Sequence, residues 1–396
     1  MNQKIALLAP LACCALATCT EEPSVTLTPV EEWTTEPEYE IGDQMEGDAL
    51  FARISSVVPT PDGSRVYVLD RQAFEVTIWT PDGALIGRVG RAGDGPGDFA
   101  SPGSLFLFDD GFQVAEGLRI TTFSLDGDLV RADGLERAMN PSGDASFGRL
   151  YHAIAMFRDR SVGAVSAADL VGSGSVTEEM SEDAHPVVRI TQDNGSFRVD
   201  TLGLLGYRDV WLALGSRGSF AVRQPFVSPD DFVMDPWDGS VVFSRSLGTP
   251  PGLLELIEVS TAGDTVWTRR IHLPPIPVTE DEIYAAADEF AAYLADGTPA
   301  QKRDAVRDRM IIPEYWPATL AIGLQSNGEI WFRPAGEDDS RIWYAVRKRE
   351  DEGPIRRIVV PESFRPLDAN ATHVWGVRTD EMGVQYVAGL RLVRTS

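Results

Sequence analysis

The feature that most constrains this chain is a recurring phrase of short β-branched and aromatic runs parted by tight turn pairs. Residues 65–69 (Arg-Val-Tyr-Val-Leu) precede 76–79 (Val-Thr-Ile-Trp), then Pro81-Asp82-Gly83, then 84–87 (Ala-Leu-Ile-Gly). Runs of this length around Asp-Gly pairs read as strand, strand, tight turn, strand. The phrase returns at 112–115 (Phe-Gln-Val-Ala), 119–123 (Arg-Ile-Thr-Thr-Phe), Leu125-Asp126-Gly127 and Asp128-Leu129-Val130.

Gly83 and Gly127 stand 44 residues apart, the length of one four-stranded propeller blade. Weaker turns follow at Asp193-Asn194-Gly195, Ala262-Gly263-Asp264 and Glu352-Gly353. Their spacings of 68, 68 and 90 residues imply insertions between strands rather than a lost repeat. With the terminal runs at 374–377 and 384–387, five turns predict six blades. The expected fold class is all-β, a six-bladed β-propeller with a small helical insertion at 279–310, between blades four and five. A propeller must close its ring or leave open strand edges. Residues 373–393 look one strand short, so the segment 25–41 is expected to complete the last blade.

The N-terminus supplies the compartment. One lysine, then an apolar stretch over residues 5–17, is a secretory leader too short to span a bilayer permanently. Two cleavage readings stand. Leu16-Ala17-Thr18-Cys19 resembles the lipobox of bacterial lipoproteins and would make Cys19 the lipidated residue, although Thr18 replaces that family's usual small residue. Ala15-Leu16-Ala17 fits ordinary signal peptidase and would release a soluble protein. The expected division is a leader at 1–19, a Thr, Pro and Glu tether at 20–36, and the propeller at 37–396. All three cysteines, Cys13, Cys14 and Cys19, lie in the leader, so the body has neither disulfides nor thiolate chemistry. A formal net charge of -25 repels nucleic-acid phosphates and anionic membranes, leaving a lipid anchor as the only membrane attachment expected. Cell envelope, or secretion as a soluble monomer, is the expected location.

Val68-Leu69-Asp70, Trp79-Thr80-Pro81-Asp82-Gly83, the Gly-rich loop at 90–99 (GRAGDGPGDF) and Ser101-Pro102 resemble the NHL-type repeat of six-bladed propellers. The chain is similar in particular to exported bacterial propeller proteins of poorly defined function, also in its closing runs 376–381 and 384–387. Glu116 stands where the repeat prefers Asp. The resemblance implies the fold and says little of activity.

With strands lettered a to d outward from the axis, a-b and c-d turns share one face. Pro61-Asp62-Gly63, Asp109-Asp110-Gly111, Trp237-Asp238-Gly239 and Ser326-Asn327-Gly328 fall at a-b positions, so that face is trimmed to hairpins. The long pieces fall on the opposite face: d-to-a connections at 90–99, 202–230 and 279–310, and b-c connections at 164–186, 247–253 and 335–340. In the largest, Thr279 and Glu282 form a capping-box start. Ile283, Ala286, Ala287, Phe290 and Leu294 recur at helical spacing up to Gly297, and a second helix is expected at 300–310. Their apolar stripe is expected to pack on the propeller. Long loops on a rigid scaffold are where binding sites sit. The candidate binding face is Arg71, Glu116, His185, Trp211, Trp316 and Asp338.

Chemistry is harder to find. The Gly-rich loop lacks the Gly-Lys-Ser/Thr of a phosphate-binding loop, so its glycines read as an inter-blade turn with Phe99 packed inside. His152, His185, His272 and His373 are scattered, and no set of three ligands with an open position accompanies any of them. Asp230, Asp231, Asp235 and Asp238, or Glu337, Asp338 and Asp339, lack EF-hand spacing and read as solvated turn carboxylates. No Gly-x-Ser-x-Gly elbow occurs. The tryptophans, such as Trp79, Trp331 and Trp343, are expected between blades. The expected function is noncatalytic binding of a protein, peptide or glycan through the elaborated face, without catalytic residues, cofactor or metal. The alternative is a metal-dependent hydrolase or lyase using Ca²⁺ or Zn²⁺ at the channel mouth.

Overall fold

A computed structural model describes residues 26–42, 50–116, 119–134, 151–158, 161–166, 185–193, 196–205, 211–214, 220–228, 230–336 and 341–395. Strand β1 (Val30–Ile41) opens the chain. Three antiparallel meanders of four strands follow. They are β2 (Ile54–Pro59), β3 (Val66–Asp70), β4 (Glu75–Trp79) and β5 (Leu85–Val89); β6 (Ser104–Leu107), β7 (Gly111–Glu116), β8 (Arg119–Ser124) and β9 (Leu129–Gly134); and β10 (Tyr151–Met156), β11 (Val162–Ser166), β12 (His185–Asp193) and β13 (Ser196–Leu205). A hairpin of β14 (Trp211–Leu214) and β15 (Phe220–Arg223) precedes a fourth meander: β16 (Asp231–Met234), β17 (Val241–Leu247), β18 (Leu253–Val259) and β19 (Thr265–His272). Helices α1 (Glu280–Ala291) and α2 (Pro299–Arg307) come next. The chain ends with β20 (Ala321–Leu324), β21 (Glu329–Arg333), β22 (Ile342–Arg347), β23 (Ile355–Val359), β24 (Phe364–Ala369), β25 (His373–Thr379) and β26 (Gln385–Arg394).

The core lies between neighbouring sheets. All five residues of β3 are buried, an apolar run from Val66 to Leu69 covered on both faces and ending at Asp70. Tyr67, Leu69 and Ile78 of one meander pack with Phe112, Val114 and Phe123 of the next, each large side chain contributing roughly 1.5–3 kcal/mol by burial. Val242, Leu254 and Ile271 meet Ile330, Phe332 and Tyr344 in the same manner. Trp79 packs with Trp375, and Trp331 with Ala388 and Leu390, placing Trp79 between two sheets and Trp331 between β20–β23 and β24–β26, in the inter-blade setting expected.

Closure is made by β1. It pairs antiparallel with β26, from Trp33↔Arg394 to Ile41↔Val387, and parallel with β23, from Val30↔Ile355 to Thr34↔Val359. The last seven strands and β1 form one sheet in the order β20-β21-β22-β23-β1-β26-β25-β24. The N-terminal segment therefore completes the last meander, as the missing strand required. It also reaches back to the fourth meander, where the Thr28 amide donates to His272 O at 3.0 Å and its hydroxyl accepts from the His272 amide at 2.9 Å. The tether boundary is corrected: Val30 onward is strand, because two edges are available to satisfy its backbone. Its glutamates meet a basic ladder, Glu31–Arg394 at 2.8 Å, Glu32–Arg357 at 3.0 Å, Glu36–Arg391, Glu38–His373 at 2.5 Å and Glu40–Arg378 at 2.5 Å.

Several expected connections shrink, since their ends extend the ladders. The expected connection 202–230 starts later, Leu202 to Leu205 being part of β13. The turn between β17 and β18 is 248–252, and Ala164 to Ser166 belong to β11. Residues 167–184, and the leader with Cys13, Cys14 and Cys19, lie outside the described residues.

Candidate binding site

The two largest connections build one small body of their own. Leu212 and Leu214 of β14 and Phe226 pack against Ala287, Ala291, Val306 and Met310, with Ile283, Ala286, Phe290 and Leu294 around them. The helical stripe was expected to lie on the propeller. It lies on the other insertion instead, because two amphipathic pieces leaving the same face bury each other more fully than either could alone. Gln224, 5% exposed, ties them together: its amide oxygen accepts from Ile311 N at 3.1 Å and its amide nitrogen donates to Arg309 O at 3.5 Å.

The helices hang from a neck. Val278 N donates to Glu314 O at 3.0 Å and Trp316 N to Ile276 O at 2.8 Å, pairing the entering and leaving strands. Thr279 caps α1 as the sequence predicted, with Glu282 N donating to its hydroxyl at 3.3 Å and Thr279 N donating to the Glu282 carboxylate at 2.7 Å. Thr298 and Gln301 cap α2 in the same way. Glu282 also accepts from the Trp316 indole nitrogen at 3.2 Å. Burial pushes the Glu282 carboxyl up, but these donors outweigh it and hold the group below its ordinary range. The first turn of α1 therefore fixes the indole, whose other contact is edge-on to Phe226 at 4.9 Å between ring centres.

Trp316 is the wall between two hollows. One, of about 480 Å³, lies among Phe226, Leu247, Thr249, Pro251, Glu314 and Tyr315. The other, of about 230 Å³, lies among Leu273, Pro274, Pro275, Pro334 and Tyr344. Gly336 backs onto the indole at φ +70°, and a Cβ there would stand 2.4 Å from it, so a side chain would displace the tryptophan. Glu314 is the one charged side chain in either described lining, and it holds the neighbouring Tyr315 phenol above its ordinary range.

A third hollow, of about 560 Å³, lies at the axis, walled by β2, β6, β16, β20 and β24 and by the a-b turns at Pro61, Trp237 and Asn327. Beside it, Lys348 and Arg349 reach across from the β22–β23 turn. Lys348 Nζ binds Asp235 and lies 2.9 Å from Asp238 and 3.4 Å from Glu258; Arg349 lies 2.8 Å from Asp238 and 2.6 Å from Glu258. Glu258 is fully buried. Desolvation raises its carboxyl, yet the facing cations bring it below the ordinary range. Asp235 and Asp238 were expected to be solvated turn carboxylates; they are an ion-paired clamp between two sheets, supplied with cations the turn's own sequence does not contain.

The predicted face residues do not converge. Arg71 is exposed in the β3–β4 turn, and Trp316 lies in the groove. Glu116 is corrected to a scaffold residue, 7% exposed. One carboxylate oxygen accepts from the amides of Ala100 at 2.7 Å and Ser101 at 3.0 Å, and the other takes Arg119 at 2.7 Å. Asp70 does the same for Ala52 and Arg53, so Glu116 performs the Asp role with a longer arm. His185 and Trp211 open β12 and β14, and Asp338 lies outside the described residues. Phe99 is fully buried and fills the space above Gly90, φ +89°, as the turn reading of the Gly-rich loop required. Among the described residues, no group of three or more His, Cys, Asp or Glu is placed to hold a metal.

No protein-family model matches the sequence, and no curated protein is similar to it. Its fold has relatives. A member of the DUF4221 family from Bacteroides vulgatus matches 92% of this chain and 99% of its own at TM-score 0.53 and 8% identity. A Bacteroides fragilis protein inferred to be exported covers 93% of this chain and 100% of its own, with TM-score 0.44 and 8% identity. A catalytically inactive virginiamycin B lyase from Staphylococcus aureus, solved with quinupristin, covers 89% and 98% with TM-score 0.40 and 13% identity. At these identities the likeness concerns fold alone, and the first carries it. The chain has an all-β, propeller-like fold.

Proposed function

We propose that this is an exported, NHL-like six-bladed propeller, with β1 as the outermost strand of blade six, and that it is a noncatalytic binding module. Its ligand is an extended peptide segment bearing apolar side chains and a basic one. One observation carries this reading: the groove divided by Trp316 is walled mostly by apolar residues, six prolines and four aromatics among them, and the described residues bring it a single charged side chain, Glu314. Prolines have fixed φ and aromatics few rotors, so such walls lose little entropy when occupied. Apolar walls favour a peptide over a glycan, whose hydroxyls need more polar partners than the groove offers. Export rests on the leader, with Cys19 as the proposed lipid anchor in the envelope.

Display selection of peptides on the purified protein tests the reading. Selected sequences should pair apolar residues with Lys or Arg, and Trp316→Ala should weaken them at least about tenfold, the scale of a central aromatic anchor. Peptides that bind Trp316→Ala as tightly as the parent would sink the proposal.

A further inference from the structure

The axial hollow differs in kind from the groove, and nothing above gives it a ligand. Its described lining contains two charged side chains, Asp235 and Asp368, and no Lys, Arg or His. Asp235 is neutralised by Lys348. Asp368 is not. It sits on β24 beside a register shift between Pro366 and Asp368, 5% exposed. Among the described residues its donors are all uncharged: the amide of Ser326 at 2.8 Å, the Ser326 hydroxyl, and the amide of Ala369 at 2.8 Å.

A buried carboxylate without a countercharge is costly, and the cost falls when a ligand brings the cation. The same wall offers the aromatic rings of Phe106 and Trp237, the latter 37% exposed and with a cation, Arg158, 5.8 Å from its ring centre. Ser55, Ser56 and Asn327 add hydroxyl and amide groups. A hollow of about 560 Å³ is of the size that encloses a small organic molecule. Carboxylate, aromatic faces and neutral acceptors together suit an ammonium group on an apolar body.

We infer that the a-b-turn end of the channel is a second binding site, independent of the Trp316 groove, for a small organic ammonium ion whose cation pairs with Asp368. Burial raises the Asp368 carboxyl to about 6, the hydrogen bonds only partly offsetting it. The charged groups facing this end are Asp235 and Asp238, which pair with Lys348 and Arg349, and Arg158, which lies over Trp237 and pairs with Asp109. The site therefore strengthens as pH rises through 6.

Calorimetric titration with phenethylammonium, against phenethyl alcohol as its uncharged counterpart, tests this. The amine should bind at pH 8 and the alcohol at least tenfold more weakly, roughly the worth of one charge-assisted contact. Lowering the pH to 5 should weaken the amine about tenfold, since about one site in ten is then ionised. Asp368→Asn, which keeps shape and most hydrogen bonds, should abolish the pH dependence and the preference for amine. Trp316→Ala should leave all of it unchanged. Should Asp368→Asn misfold, the pH series on the parent protein decides alone. Absence of amine binding at pH 8, equal binding of the alcohol, or a flat pH series on the parent overturns the inference.

Discussion

The Trp316 groove and the axial hollow are built by opposite means. The groove's walls come largely from connections: residues 226–228, the neck segments 274–276 and 313–318 and the β17–β18 turn line it, and behind them the hairpin β14–β15 and the helices carry their own hydrophobic core, which shares Phe226 and Trp316 with the groove. The hollow's walls are the innermost strands themselves, so its shape is the shape of the ring. A site made of insertions is separable from the scaffold's stability. A site made of scaffold is not, and it carries the strain of an unpaired carboxylate within the fold.

The largest effect should come from damaging the scaffold, which ought to disable both sites together. Trp331 is 1% exposed and packs between the strands β21–β23 and β24–β26. Trp331→Ala should cost about 3–5 kcal/mol, seen as a lowered denaturation midpoint with both ligands lost. If groove binding survives that change intact, the cap folds independently of the ring and the separation is even sharper.

Leu214→Ala attacks only the cap. Leu214 is fully buried against α1 and α2. The loss of about 2–4 kcal/mol should appear as faster amide exchange in α1 and α2 and weakened peptide binding. Amide protection in β3 and β7, and amine binding at the axis, should persist. Equal loss of protection in ring and cap would show that they unfold as one unit and break the comparison.

Asp368 links the hollow to stability with a definite sign. Its folded pKa, about 6, lies above the ordinary 3.8, so the native state holds the proton more tightly than the unfolded chain. Its contribution is full below pH 3.8 and is lost as pH rises through 6. Asp368→Asn should therefore be more stable than the parent at pH 8 by on the order of 2–3 kcal/mol, with the gain vanishing near pH 4. Urea unfolding at the two pH values measures it, and a pH-independent difference would contradict the burial argument.

What could be read in the sequence follows the range of the interactions. Turn chemistry is local, so Pro81-Asp82-Gly83 and Ala262-Gly263-Asp264 marked real turns, and Thr279 with Glu282 marked a real helix start. The closing strand was legible because an odd strand must find an edge. The Phe99 packing was legible because glycines surround it. The partnership of Leu214 with Val306 was not: the pieces are far apart in sequence, and amphipathicity says that a face is covered without saying by what. Nor was the clamp of Lys348 and Arg349 on Asp235, Asp238 and Glu258, whose partners come from different sheets. Asp368 had no signal at all, since its burial depends on Ser326 in the β20–β21 turn, distant in the sequence. Glu116 misled because an end-of-strand carboxylate reads alike whether it faces solvent or caps a loop.

The smallest effect concerns closure. Glu31, Glu32, Glu36 and Glu40 on β1 face arginines, but these pairs are partly exposed, and each is worth about 0.2–1 kcal/mol and is screened by salt. Backbone pairing to β23 and β26 and the burial of Ile41 hold the strand regardless. Glu36→Gln with Glu40→Gln should lower the midpoint by only a few degrees at low salt and by less in 0.5 M NaCl. Because β1 completes the sheet that carries β24, while the segment before it meets the fourth meander at Thr28, any loosening should weaken amine binding at the axis before peptide binding at the groove. The reverse order would place β1's influence on the cap rather than on the ring.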